Sequence, residues 1–246
     1  IYWLLLAFVL SMTTQLWGEP KRAVKVWQTV QPSSIRAADN LSALYLKENN
    51  IIEAQKLWTK QVKLCPNCIN SQAQALLFSC FAGFEQQTRY YYQAMYNHIS
   101  TATRAISAGS TLGQLYKLID NKYCSTISLN DLKKLNTAFL LQLPQSPFNK
   151  KTPFLQNLYV FAITEKNITE AIRLLYLAWH EQQQPIIANE LVSMLLIEKE
   201  YKQAKDFINN QACQTIPFNP ILAKNKLKHC NALMERVNKA LGKVAS

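Results

Sequence analysis

Arg36–Pro66 reads RAADNLSALYLKENNIIEAQKLWTKQVKLCP, and its apolar residues fall on two successive helical faces. Ala38, Leu41, Ala43, Leu44 and Tyr45 share one face. Ile51, Ala54, Leu57, Trp58 and Val62 share the other at steps of three and four. Glu48-Asn49-Asn50 joins the two, and Pro66 stops the second helix because its ring has no N–H to donate and fixes φ. The motif recurs. Asn50-Ile-Ile-Glu-Ala54-Gln-Lys-Leu-Trp58 is echoed by Asn167-Ile-Thr-Glu-Ala171-Ile-Arg-Leu-Leu175 and by Glu200-Tyr-Lys-Gln-Ala204-Lys-Asp-Phe-Ile208. Ala171 and Ala204 lie 33 positions apart, one unit of a helical-hairpin repeat.

Leu41, Ser42, Tyr45, Ala54, Trp58 and Pro66 match the spacing of a tetratricopeptide repeat, and the stretch resembles that family. The resemblance implies an all-α, TPR-like α-solenoid of antiparallel helix pairs. A small residue on each second helix lets the first pack close. First helices of successive units line a concave groove that holds a peptide or partner protein. Carried onto this chain, the groove positions are Arg36 and Asp39, then Gln156 and Asn157, then Asn189 and Ser193. They lack the paired Lys and Arg of a carboxylate clamp, which speaks against binding of chaperone tails. Asn and Gln in such a groove suit backbone amides or sugar hydroxyls.

The rest of the composition agrees with helices. In 246 residues there are 5 glycines, too few for the turns of a β-sandwich or a dinucleotide-binding sheet, and 49% of the chain is hydrophobic. Nothing alternates at period two over a strand's length. Lys and Arg outnumber Asp and Glu by 27 to 15, a net charge of +12, which permits contact with nucleic acid, anionic lipid or acidic glycan. The basic residues are scattered, with Lys224, Lys226 and Lys228 beside His229 the densest group, and no nucleic-acid reader motif accompanies them. Nucleic acid is therefore not the expected partner.

Ile1–Leu16 carries no charge and is rich in Leu, Phe and Trp. Sixteen residues fall short of the ~20 that cross a bilayer, and no basic n-region or small-residue cleavage site marks a signal peptide. Residues 1–17 read as a truncated transmembrane helix or membrane-proximal helix, with a buried apolar helix as the alternative. Tyr2, Trp3 and Trp17 suit a membrane interface. A second resemblance begins here. Leu16, Trp17, Trp27, Pro32, Arg36 and Ala37 follow the order seen where polytopic glycosyltransferase or O-oligosaccharyltransferase-like membrane proteins pass into a repeat tail. It covers about twenty residues and implies a bacterial protein whose catalytic membrane part lies upstream.

Residues 18–143 read as N-terminal repeats, 144–153 as a connector with Pro144, Pro147 and Pro153, and 154–246 as C-terminal repeats closed by a basic capping helix. Within the first block, 68–84 and 85–108 are expected as helices, the latter long and ending at Gly109. Ser128 and Asp131 have the spacing of a capping box.

The chemistry is sparse. Cys65-Pro-Asn-Cys68 has redox spacing, but no βαβ pattern surrounds it and no second pair completes a zinc site. Neither metal nor cofactor is expected. Six cysteines permit disulfides, with Cys65–Cys68 and Cys213–Cys230 as candidates, or buried free thiols. No glycine-rich phosphate loop, G-x-S-x-G or H-E-x-x-H occurs, so no catalytic residues are assigned and no enzyme activity is expected within these residues. Trp27, Trp58 and Trp179 read as packing residues, and of Tyr90, Tyr91 and Tyr92 at least one must face inward.

The expected function is a membrane-anchored scaffold that binds a protein or peptide through its concave face. The alternative is an accessory tail of a membrane transferase that positions acceptor or lipid-linked glycan. Lys21, Arg22 and Lys25 favour a cytoplasmic face. The cysteines and the transferase resemblance favour an inner-membrane protein with a periplasmic repeat domain, the preferred placement.

Overall fold

The computed structural model describes residues 2–102, 105, 107–147, 149–214 and 217–245, with the side chains of residues 15–17 and 243–245 outside that description. Leu16 and Trp17, part of the transferase resemblance, and Phe148 of the proline-rich stretch thus lie outside the described side chains. The described residues form α-helices and no β-strand, with an isolated antiparallel bridge between Ser146 and Asn149.

The chain divides into two compact units. The first comprises residues 1–138 and 142–149 and holds α1 (Tyr2–Gly18), α2 (Pro20–Val30), α3 (Ile35–Lys47), α4 (Ile51–Leu64), α5 (Ile69–Phe81), α6 (Glu85–His98), α7 (Ala108–Asp120) and most of α8 (Leu129–Gln142). Here α2 packs on α3, α3 on α4, α4 on α5, and α5 on both α6 and α7. The second comprises residues 139–141 and 150–246 and holds α9 (Thr152–Thr164), α10 (Ile168–Glu181), α11 (Pro185–Ile197), α12 (Tyr201–Phe207) and α13 (Pro220–Ala245). Its helices pack in the order α9, α10, α11, α12, and α13 lies on α11 and α12.

One turn geometry builds both units. Asn49, Gly83, Lys122, Lys166 and Lys199 all have φ between 57° and 73°, and each ends the first helix of a pair. The residue after each donates its N–H five residues back: Asn50 to Tyr45 (2.7 Å), Phe84 to Ser79 (2.9 Å), Tyr123 to Leu118 (2.8 Å), Asn167 to Ala162 (2.8 Å) and Glu200 to Leu195 (2.8 Å). This is the left-handed helix stop that satisfies otherwise orphaned carbonyls. Asn50 and Asn167 then cap the following helix, accepting from Glu53 N–H at 3.3 Å and Glu170 N–H at 3.1 Å. The recurring Asn-x-x-Glu is therefore the start of each second helix. Ala54, Ala171 and Ala204 are wholly buried, where a larger side chain would hold the paired helices apart. Trp58, Leu175 and Ile208 follow them into the core. The fold is a TPR-like stack of helix pairs within each unit.

Other local signals act as their chemistry dictates. Pro20, Pro153 and Pro185 occupy the first turns of α2, α9 and α11, where the missing N–H costs nothing. Ser128 and Asp131 form a reciprocal cap at the start of α8, Asp131 N–H to Ser128 Oγ at 3.1 Å and Ser128 N–H to Asp131 Oδ2 at 3.0 Å. The Ser128 hydroxyl also donates to Asp131 Oδ2 at 2.7 Å, and this bond, with the one from Ser128 N–H, holds the Asp131 carboxyl below its ordinary range.

Two expectations are corrected. The helix expected over residues 85–108 stops at His98, followed by a 3-10 turn over Ile99–Thr101, and Gly109 lies inside α7 rather than ending a helix. Thr103, Arg104 and Ile106 of that range lie outside the described residues. Side chains satisfy the loop's backbone in place of helical bonds: Asn149 accepts from Ala105 N–H and donates to Ala102 O, both at 3.0 Å, and Asn70 accepts from Ala108 N–H at 3.0 Å. The helical pattern that reads from the sequence over Lys202–Ala212 is regular only to Phe207, then widens into a π turn over Ile208–Ala212.

All six cysteines are paired, as Cys65–Cys68 across the α4–α5 turn, Cys80–Cys124 from the end of α5 to the α7–α8 loop, and Cys213–Cys230 from the π turn to α13.

Candidate functional site

The first unit has a groove lined by first helices of successive pairs. Asp39, Ser42, Ala43 and Leu46 come from α3; Gln74, Leu77, Phe78 and Phe81 from α5; Gln114, Lys117 and Leu118 from α7. It encloses about 430 Å³. Leu46 and Phe81 remain partly exposed at its rim. Gln74 Nε2 donates to Thr111 Oγ1 at 3.2 Å, which ties α5 to α7. Burial pushes the Asp39 carboxyl above its ordinary range, although the residue remains open to solvent at the groove mouth. The arrangement offers an apolar floor, side-chain amides that can pair with a peptide backbone, an acidic group and one lysine. Its chemistry suits an apolar anchor residue with polar neighbours.

The residues assigned from sequence do not form a single site. Asp39 lines the groove. Arg36, one turn earlier on α3, is exposed. Gln156 and Asn157 are half-buried on α9 of the second unit, and Asn189 and Ser193 are half-buried on α11. Ser193 is engaged within the chain, since its Oγ donates to Asn189 O at 2.7 Å and accepts from Arg236 Nη2 of α13 at 2.7 Å. Tyr159 Oη donates to Glu190 Oε2 at 2.7 Å and so links α9 to α11. Burial and the nearby carboxylate both push the Tyr159 hydroxyl well above the usual phenol range. The second unit's first helices α9 and α11 are thus bridged by their own side chains.

Gln74, Phe78, Phe81, Gln114 and Lys117 were not legible as groove residues. Neither α5 nor α7 carries the repeat motif, and the only signal was the small or polar residue at every third or fourth position along α5. Trp58 and Trp179 are core residues, as expected; Trp27 is half-buried, donating Nε1–H to Gln31 Oε1 at 3.1 Å. Tyr91 is the inward tyrosine, with its hydroxyl donating to Thr59 Oγ1 at 3.0 Å, while Tyr90 is exposed.

The N-terminal helices present a different surface. Tyr2, Trp3, Leu4, Leu5, Phe8, Val9, Leu10 and Met12 of α1 are all exposed. A second apolar cleft of about 760 Å³ runs along α2, lined by Pro20, Ala23, Val24, Val26, Trp27, Val30 and Gln31 with Asn40 of α3. On the other side of α2, Lys21 pairs with Glu48 at 2.6 Å. With 17 residues, α1 is about 25 Å long, and among the described residues no helix is long and apolar enough to cross a membrane.

Among the described residues no cluster of three or more His, Cys, Asp or Glu could hold a metal. No protein-family model and no curated protein matches the chain. A solved structure titled "Functional Characterization of Pseudomonas Aeruginosa pilF" is similar to 83% of this chain over 90% of its own, at 15% identity and a TM-score of 0.47. Nothing in the fold or in these comparisons supports the resemblance to membrane transferases. By its own turns and helix pairing the chain is a stack of TPR-like helix pairs.

Proposed function

We propose that this protein is a membrane-associated scaffold that holds a segment of a partner protein in the α3–α5–α7 groove. The observation that carries the reading is the groove itself, an apolar floor open to solvent between three first helices. The segment carries a large apolar residue that fills the space above Leu77 and Phe78, with a basic residue beside it facing Asp39. Gln74 and Gln114 pair with its backbone. The exposed apolar surface of α1 supports association with a membrane, since a helix apolar on every side is stable in water only when covered. Three disulfides support placement in an oxidising compartment, the periplasmic side of an inner membrane.

Selection of a displayed peptide library against the oxidised chain, counter-selected with Ala43→Arg, tests the groove. Ala43 is exposed, so the arginine fills the groove without disturbing the core. Peptides with an aromatic or leucine anchor next to Lys or Arg, bound by the wild type and not by the variant, are the expected result. Enriched peptides that bind both proteins equally would place recognition elsewhere.

A further inference from the structure

We infer that the start of α13 is a contact surface for an anionic lipid bilayer, separate from α1 and from the groove. Phe218, just before the helix, is fully exposed, and Ile221 and Leu222 in its first turn are 72% and 56% exposed. Leu227, one turn further, is also exposed. Single exposed apolar residues are ordinary, but four within ten positions concentrate apolar surface at the start of α13.

The same two turns carry Lys224, Lys226 and Lys228, and no Asp or Glu occurs from residue 207 to residue 234. Placed on a helical wheel, Ile221, Lys224 and Lys228 share the side opposite Leu233 and Val237, which are buried. Ile221, Lys224 and Lys228 thus face away from the anchoring contacts of α13, while Leu222 and Lys226 fall on the anchored side of the wheel but two to three turns before Leu233. Lysines interleaved with exposed Phe, Ile and Leu match a bilayer surface: the hydrocarbon enters below the headgroups, and the ammonium groups stay at headgroup depth. Each lysine near an anionic leaflet adds to the attraction.

The tip is also held firmly. Asn219 caps the helix, its Oδ1 accepting from Ile221 N–H at 3.0 Å and Leu222 N–H at 3.3 Å. The Cys213–Cys230 disulfide closes the loop that carries Phe218 onto the third turn of α13. The start of α13 is thus tied down by the Asn219 cap and by the disulfide at Cys230. The basic charge of this stretch, which has no Asp or Glu from residue 207 to residue 234, makes an anionic lipid the complementary partner.

Amide hydrogen exchange on the full oxidised chain tests this, read at residues 217–228. The probes are phosphatidylglycerol–phosphatidylcholine vesicles, pure phosphatidylcholine vesicles and polyglutamate. Slowed exchange with the phosphatidylglycerol vesicles alone is expected, lost in Phe218→Ser/Ile221→Ser and in Lys224→Gln/Lys228→Gln. These side chains are exposed, so both variants keep the core. Vesicle binding through α1 leaves these amides unchanged, which separates this contact from the anchor. Unchanged exchange in a chain bound to anionic vesicles would overturn the inference. Slowing by polyglutamate without slowing by vesicles would overturn it too, and would assign the patch to an acidic protein.

Discussion

Asn149 accepts the backbone N–H of Ala105 at 3.0 Å, across 44 residues of chain, and is itself buried. Its Nδ2 donates to Ala102 O at 3.0 Å and to Pro144 O at 2.9 Å. One amide thus serves three backbone groups of two irregular segments that have no ladder or helix to pair with. Asn149→Ala leaves the Ala102 and Ala105 groups buried without partners, at about 1–3 kcal/mol for each one left unsatisfied. The first unit is expected to lose several kcal/mol in a urea titration. Asn149→Asp should cost more than alanine, because it turns a carboxylate toward two carbonyl oxygens. Equal midpoints for wild type and alanine variant would remove Asn149 from this role.

The disulfides differ in what they constrain. Cys80 and Cys124 are 44 positions apart, Cys213 and Cys230 are 17 apart, and Cys65 and Cys68 only 3. Chain-entropy arguments rank their removal at about 4, about 3 and about 2 kcal/mol, since a longer closed loop restricts the unfolded chain more. Thermal melts of the three double-serine variants should follow that order. The Cys80/Cys124 variant should also lose protection in the α7–α8 loop. A Cys65/Cys68 variant that melts lowest would contradict the ranking.

The helix stops give a test of the repeat itself. Lysine at Lys166 and Lys199 adopts a left-handed conformation that costs an L-residue about 1–2 kcal/mol, of which glycine recovers part after its larger unfolded-state entropy is counted. Lys199→Gly should raise stability by about 0.5–1 kcal/mol. Gly83→Ala should lower it by a similar amount, and purely through the backbone, because an added Cβ there meets nothing within 4 Å. A glycine at 199 that destabilises would mean the lysine side chain itself holds the turn.

How far the sequence could be read follows from where the information sits. The hairpins were legible because Asn50 and Glu53, Asn167 and Glu170, and the buried alanines that follow act within one turn of each other. Helix periodicity over Arg36–Pro66 is equally local. The groove was not legible, because its walls come from α3, α5 and α7, and α5 has a nearly continuous buried surface that hides which face is inner. The break after His98 was missed for a similar reason. Tyr90 to Met95 continues a helical pattern, and the groups that stabilise the broken loop, Asn70 and Asn149, are remote in sequence. Cys80 and Cys124 read as isolated because no spacing rule says that the α7–α8 loop returns to the end of α5. Ser193 has the position of a groove residue, but sequence could not show that Arg236 would occupy it.

Asp39 links the groove to pH. Burial raises its carboxyl above the ordinary value of 3.8, so the folded chain holds this proton more tightly than the unfolded chain does. Its contribution to stability is therefore present at low pH and is lost as pH rises through the folded value. Asp39→Asn has no such dependence. The stability difference between the two should grow in favour of the variant as pH rises across the carboxylate range, then level off above it. A basic residue bound beside Asp39 reverses the effect, because it favours the charged carboxylate and drives the proton off. Peptides selected on the groove should accordingly bind more tightly as pH rises through that range, with the dependence abolished in Asp39→Asn. A pH-independent affinity in the wild type would show that the bound segment does not place its charge at Asp39.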